Sequence, residues 1–129
     1  MAHRFDLRVY YEDTDLAGIV YYANYLKFIE RARTEWVREI GIDQARLKAD
    51  EGIVFAVRRL EANYLAPARF DDVLTVETEI IDITGARITL SQAVRREGET
   101  LFDSTVLLVA ISESGRPVRL PADVRRRMG

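Results

Sequence analysis

With 129 residues the chain is long enough to bury one sizeable core, and 48% hydrophobic against 31% charged residues excludes a disordered or fibrous polypeptide. Its 19 basic and 21 acidic side chains leave a net charge of −2, so bulk electrostatics select neither nucleic acid nor an anionic membrane as a partner. Without cysteine there are no disulfides, thiolate nucleophiles or thiolate metal sites.

Residues 1–3 are expected to be a frayed tail, and they carry His3, the single histidine. One imidazole in that place provides neither a multi-histidine metal site nor a Ser-His or Cys-His nucleophile pair. Phe5, Leu7, Val9 and Tyr11 then alternate with Arg4, Asp6, Arg8 and Tyr10. That is the period of a half-buried strand, and not the apolar core of a signal peptide. The irregular stretch EDTDLAGIVYYA follows at 12–23, with a carboxylate cluster and Gly18.

From Asn24 the period changes. Tyr25, Phe28, Ile29, Ala32, Trp36, Val37 and Ile40 follow helical spacing, with Glu30, Arg31, Glu35 and Arg38 on the opposite side. Asn24 reads as the N-cap of this long helix and Gly41 as its C′ stop. A short second helix is expected over 44–50, before Gly52.

Strands follow. The first covers 53–65 and is ended by Pro67. The second covers 73–83, with Val73, Ile81 and Ile83 on one side and Leu74, Val76 and Ile80 on the other. A turn at Thr84 and Gly85 leads to 87–96, and one at Glu97 and Gly98 leads to 101–111. The run VLLVAI at 106–111 is apolar on both faces, as in a central strand covered on both sides. Short turns imply antiparallel pairing. Residues 122–129, with Arg125, Arg126 and Arg127, read as a charged tail. No apolar run is long enough to span a bilayer, so no stable membrane insertion is expected and the expected location is the cytoplasm.

One strand, one long helix and four further strands make an α+β layout, read as a single domain over 1–129 with a five-stranded antiparallel sheet wrapped around the helix. A lone sheet of this kind leaves one edge and one face bare. A homodimer, with further face packing into a dimer of dimers, is the expected remedy.

The chemistry-bearing segment combines Asp13, Thr14 and Asp15, then Gly18, Ile19, Val20 and Tyr21, then Asn24 and Tyr25, then Glu30, Arg31, Ala32 and Arg33. Downstream come Tyr64, Leu65, Ala66, Pro67, Ala68 and Arg69, with Asp71 and Asp72. On these residues the chain resembles the 4-hydroxybenzoyl-CoA thioesterase family, in particular its Tol–Pal-associated acyl-CoA thioesterase branch. The resemblance covers nearly the whole chain and thins after about Gly115. It implies a hot-dog fold, activity as dimers or tetramers, and hydrolysis of acyl-CoA without metal or bound cofactor. It also implies that Asp15 is the catalytic aspartate and that the Tyr22 backbone amide polarises the thioester carbonyl. Tyr22 departs from the branch, which commonly has histidine there, but the amide survives the change.

These roles suit the residue types. Backbone N–H groups at a helix N-terminus are orphan donors at the positive end of the helix dipole, and a developing oxyanion is what they stabilise. Asp15 can attack the carbonyl directly or activate a water. Gly18 lets the backbone come close to a ligand. Asn24 is a cap first and a substrate contact second, and Tyr25 reads as core or pocket lining. Coenzyme A carries phosphates suited to arginine, for which Arg58 and Arg87 are candidates on the sheet. Taken alone Asp15 would be a turn residue, and a calcium loop starting at Asp13 fails because Ala17 and Asn24 stand at ligand positions. The rival reading is a non-catalytic hot-dog protein, or one that binds acyl carrier protein, linked to envelope or phospholipid metabolism.

Overall fold

The computed structural model describes residues 2–129. Its elements in chain order are β1 (His3–Arg8), a 3₁₀ turn (Tyr11–Asp13), α1 (Asn24–Glu39), α2 (Gln44–Glu51), β2 (Val54–Tyr64), β3 (Val73–Thr84), β4 (Arg87–Arg96), β5 (Glu99–Ile111) and α3 (Ala122–Met128). The strands form one five-stranded antiparallel sheet in the order β1-β3-β4-β5-β2. This is the α+β architecture expected from the pattern, and the hot-dog fold that the resemblance implies.

The helix α1 packs over β3, β1 and β4. Tyr25, Phe28, Ile29, Ala32, Trp36 and Val37 are its buried residues. They meet Leu74, Val76, Ile88, Leu90, Val94, Phe102 and Val106 from the sheet in one core. Each large side chain so buried contributes roughly 1.5–3 kcal/mol. The helix ends in a full Schellman motif: the Gly41 N–H donates to Arg38 O (3.0 Å) and the Ile42 N–H to Val37 O (3.1 Å). Gly41 takes φ 90°, the left-handed conformation this stop requires.

The helix start differs from expectation. Ala23 occupies the cap position and Asn24 is the first helical residue, its side chain turned to another task described below. The two tails differ as well. His3 belongs to β1, and its ring Nε2 lies 2.7 Å from Glu39 Oε2 at the far end of α1. Residues 122–128 form α3, which buries Val124 and Met128 together with Leu120 before it. These three positions recur every four residues, so the arginines between them lie on the solvent side of a short amphipathic helix.

Bulges adjust the strands. The register shifts between Ile80 and Asp82, leaving Ile81 as the extra residue and turning Ile83 to the helix side beside Ile80. Another bulge sits at Arg58. Strict alternation had placed Ile83 with Val73 and Ile81.

One polar cluster is buried under α1. Gln92 Nε2 donates to Ile29 O and to Thr78 Oγ1, both at 2.9 Å, and its Oε1 accepts from Arg33 Nη1 at 2.9 Å. Burial holds the Arg33 pKa below its ordinary value, against the pull of Glu30. Gln92→Leu strips partners from all three groups and is expected to cost about 1–3 kcal/mol in urea denaturation. An unchanged midpoint would show that the cluster adds nothing.

Candidate active site

The carboxylate loop is a closed hairpin. Thr14 and Val20 form an antiparallel bridge, the Asp15 N–H donates to Ile19 O (2.9 Å) and the Gly18 N–H returns to Asp15 O (3.0 Å). Gly18 takes φ 79°, and a Cβ there would meet nothing within 4 Å. Glycine is needed for the backbone conformation, which L side chains rarely adopt, and not for space. Asp15 is exposed, and its Oδ1 accepts the Ala17 N–H at 2.9 Å in an Asx turn. That bond fixes the carboxylate without covering it.

The hairpin is tied down on two sides. The Val20 N–H donates to Ala68 O (2.8 Å), and Ile19 bridges Arg69. On the other side Asp13 O accepts both the Tyr21 N–H and the Asn24 Nδ2, each at 2.9 Å. The Asn24 side chain therefore ties the hairpin to the first turn of α1, which explains its absence from the capping role. Tyr22 lies just before that turn. Among the described residues its N–H donates to no backbone carbonyl or side-chain oxygen.

A cavity of about 320 Å³ opens here. Ile19, Val20 and Tyr22 line it on one side, Tyr64, Leu65, Ala66 and Pro67 on the other, with the Tyr25 ring between. Tyr25 stacks on Phe102 with centroids 5.0 Å apart, and its hydroxyl accepts the Ala68 N–H at 3.1 Å. Burial raises the Tyr25 pKa, so this phenol stays protonated at neutral pH. The lining is mainly apolar and aromatic, as in many small-molecule pockets, and it includes Ile19, whose carbonyl accepts the Asp15 N–H.

The family model described as the thioesterase superfamily matches residues 17–102, from the hairpin to Phe102 near the start of β5. The chain belongs to the thioesterase superfamily. Thioester hydrolysis is accordingly its chemistry. The acyl-CoA thioesterase YbgC of Haemophilus influenzae is 40% identical to this thioesterase over 122 residues, 94% of this chain and 90% of that protein. A probable thioesterase from Bartonella henselae superposes with a TM-score of 0.88 at 38% identity, over 94% of this chain and 100% of that one. An aspartate-to-asparagine mutant of 4-hydroxybenzoyl-CoA thioesterase, complexed with 4-hydroxybenzoyl-CoA, superposes with a TM-score of 0.94 over 99% of both chains. At 23% identity that likeness attests the fold.

The thioesterase brings some expected residues together and separates others. Asp15, Gly18, Tyr22, Asn24 and Tyr25 gather around the hairpin and the start of α1. Arg58 and Arg87 do not join them within one chain. Arg58 sits in the β2 bulge and Arg87 opens β4, whose other end, Arg96, reaches the site's supporting loop. Arg87 stands at the opposite end of this ten-residue strand, roughly 30 Å away.

The sequence pattern includes the residues of the supporting loop but not the contacts that hold it. Arg96 Nη1 donates to Pro67 O (3.2 Å) and to Asp72 Oδ2 (2.8 Å), and the Arg69 N–H also reaches Asp72 Oδ2 (2.8 Å). The loop they close carries Ala68 and Arg69, the anchors of the hairpin. Burial works against the Asp72 carboxylate, but the Arg69 N–H and the Arg96 guanidinium outweigh it and hold its pKa below the usual value. Stability from such a group is fully present above the unfolded pKa of about 4 and is lost as pH falls through the lower folded value. Asp72→Asn is expected to be less stable than wild type at pH 7, with the gap narrowing as pH is lowered from about 5 to 3. Urea denaturation across that range measures it, and a constant gap would deny the pair an electrostatic role.

Among the described residues no cluster of three or more His, Cys, Asp or Glu side chains is placed to hold a metal ion, and no helix is long and apolar enough to cross a membrane.

Proposed function

We propose that the chain hydrolyses acyl-CoA thioesters to a carboxylic acid and free coenzyme A, with Asp15 as nucleophile or general base and the Tyr22 N–H as oxyanion donor. The observation that carries this reading is the placement of an exposed carboxylate and an unengaged N–H on either side of Ile19 and Val20, which line the apolar cavity. With the acyl group in that cavity, its carbonyl oxygen gains charge as it is attacked. A preorganised backbone donor is worth roughly 2.7–4 kcal/mol at that point. The relatives' acyl-CoA names support the substrate class, as does a complex of a related fold in which an aspartate is replaced and the thioester is bound.

The reading includes a homodimer, and two features of β2 support it. Among the described residues the strand pairs with β5 alone, which leaves its second edge free. Its helix-side residues Val57, Leu60 and Tyr64 are 50%, 36% and 48% exposed, because α1 covers that face over β1, β3 and β4, at the other end of the sheet. Antiparallel pairing of β2 with its copy buries both the edge and this face. It also carries the start of the partner's β2, with Arg58, to the end where Tyr64 and Asp15 lie, which gives Arg58 a route to the phosphates of coenzyme A. Arg87, two strands further in, follows the same route. Thr89, Ser91, Ala93 and Thr105 form a short-chained outer face beside Leu107, suited to sheet-on-sheet packing of two dimers into a tetramer. A link to the Tol–Pal system and acyl carrier protein as a further partner rest on the branch resemblance, while a cytoplasmic location rests on the sequence pattern.

Thiol release from a panel of aliphatic and benzoyl-type acyl-CoAs tests the function. Turnover of at least one class is expected. Silence across the panel, with binding of acyl carrier protein, would establish the non-catalytic reading instead.

A further inference from the structure

We propose that Tyr64 is a positioning residue of this thioesterase: its hydroxyl, donated to the Tyr22 carbonyl, fixes the backbone that presents the Tyr22 N–H. This inference rests on the oxyanion role proposed for Tyr22. An N–H serves a developing charge only if its direction is set before the charge appears.

Two peptide planes meet at the Tyr22 Cα, and in a trans peptide the C=O and N–H point opposite ways. The Tyr22 N–H shares its plane with the Tyr21 carbonyl, which accepts the Asn24 N–H at 2.8 Å. The helix start therefore holds that plane with the Tyr22 N–H pointing away from it. The second plane, between Tyr22 and Ala23, lies outside regular structure. Its carbonyl accepts Tyr64 Oη at 2.9 Å, across 42 residues of sequence. With both planes held, the torsions on either side of the Tyr22 Cα are fixed. Without the hydroxyl only one plane is held.

Tyr64 is built to hold this position. It is the last residue of β2 and pairs with Phe102, and the next two N–H groups, of Leu65 and Ala66, both bond to Leu101 O at 2.8 and 3.1 Å. Its ring meets Tyr22, Tyr25 and Phe102 edge-on, with centroids 6.1, 5.6 and 5.1 Å apart. Burial and the neighbouring phenols raise its pKa, so the O–H donor persists through the neutral range. A ring at this place would fill the pocket wall without a hydroxyl. The oxygen's contact is with the backbone of the proposed donor.

The test is Tyr64→Phe, which keeps the ring and removes one oxygen, assayed for acyl-CoA hydrolysis beside wild type and Asp15→Asn. A fall in kcat of roughly tenfold is expected with KM little changed, since one hydrogen bond felt mainly in the transition state is lost. Amide exchange at Asn24 and Leu26, whose N–H groups bond to Tyr21 O and Ala23 O on either side of Tyr22, is expected to speed up while exchange in β3 and β4 stays as in wild type. Unchanged kcat in Tyr64→Phe, with Asp15→Asn inactive, overturns this inference and leaves the site reading intact. Full activity in Asp15→Asn overturns the site reading itself. A rise in KM with faster exchange throughout the sheet would make Tyr64 a packing residue and also overturn the proposal.

Discussion

Asp15→Asn is expected to lower kcat for acyl-CoA hydrolysis by about 10²–10⁴-fold, the range for loss of a general base or nucleophile, while KM changes little. The substitution is unusually clean at this position. Asparagine keeps an Oδ1 acceptor for the Ala17 N–H, and the other bonds that close the hairpin, Asp15 N–H to Ile19 O and Gly18 N–H to Asp15 O, use backbone atoms alone. The loop therefore keeps its shape while the carboxylate loses its charge and its basicity. Asp15→Ala removes the Asx turn as well, so any activity lost beyond that of Asp15→Asn reports on the loop. Steady-state thiol release with matched thermal melts reads both. Turnover of Asp15→Asn within a few-fold of wild type would move the chemistry to another residue.

Leu60→Asp is expected to halve the mass of the protein in solution and to abolish activity together with it. Leu60 sits opposite the buried Val106 on the helix side of the sheet, yet is 36% exposed in a single chain. An aspartate there costs an isolated chain little, because its carboxylate reaches water. In a β2-paired dimer it brings two carboxylates to the two-fold axis in a desolvated seam, where unpaired charge is expensive. Light scattering during size exclusion gives the mass, and the thioesterase assay gives the activity. A folded monomer with full activity would show that one chain holds a complete site. Unchanged mass would place the interface elsewhere.

β2 to β5 were legible because each is long and bounded by Gly or Pro, β1 because its apolar residues alternate, and the long helix because its apolar stripe ends at Gly41. The faces within the strands were less so. A bulge such as that at Ile81 inverts the alternation after it, and its position depends on the partner strand, so Ile83 could not be assigned from its own neighbours. The helix α3 was hidden by its length. Three apolar residues spaced by four are too few to outweigh three adjacent arginines until Leu120, Val124 and Met128 are seen under the core. Asn24 illustrates a different limit. Its type and place satisfy the capping rule, but the Asp13 carbonyl brought next to it by the hairpin takes its side chain instead. In the same way Asp15 and Tyr22 lie in one recognisable segment, whereas Tyr64 and the Arg96–Asp72 support act across the fold, through contacts that no local pattern encodes.

The order of the strands has a further consequence for how the chain is made. Among the described residues β2 finds its partner in β5, the last of the five strands to leave the ribosome. Throughout the synthesis of β3 and β4, Phe55, Val57 and Leu60 remain on a segment with both edges unpaired. During that interval nascent chains on neighbouring ribosomes present one another with the same apolar strand, before either has closed its own sheet. Translation speed between Tyr64 and Ile111 thus bears on yield, and a pause there lengthens the time in which the wrong copy of β2 can be captured.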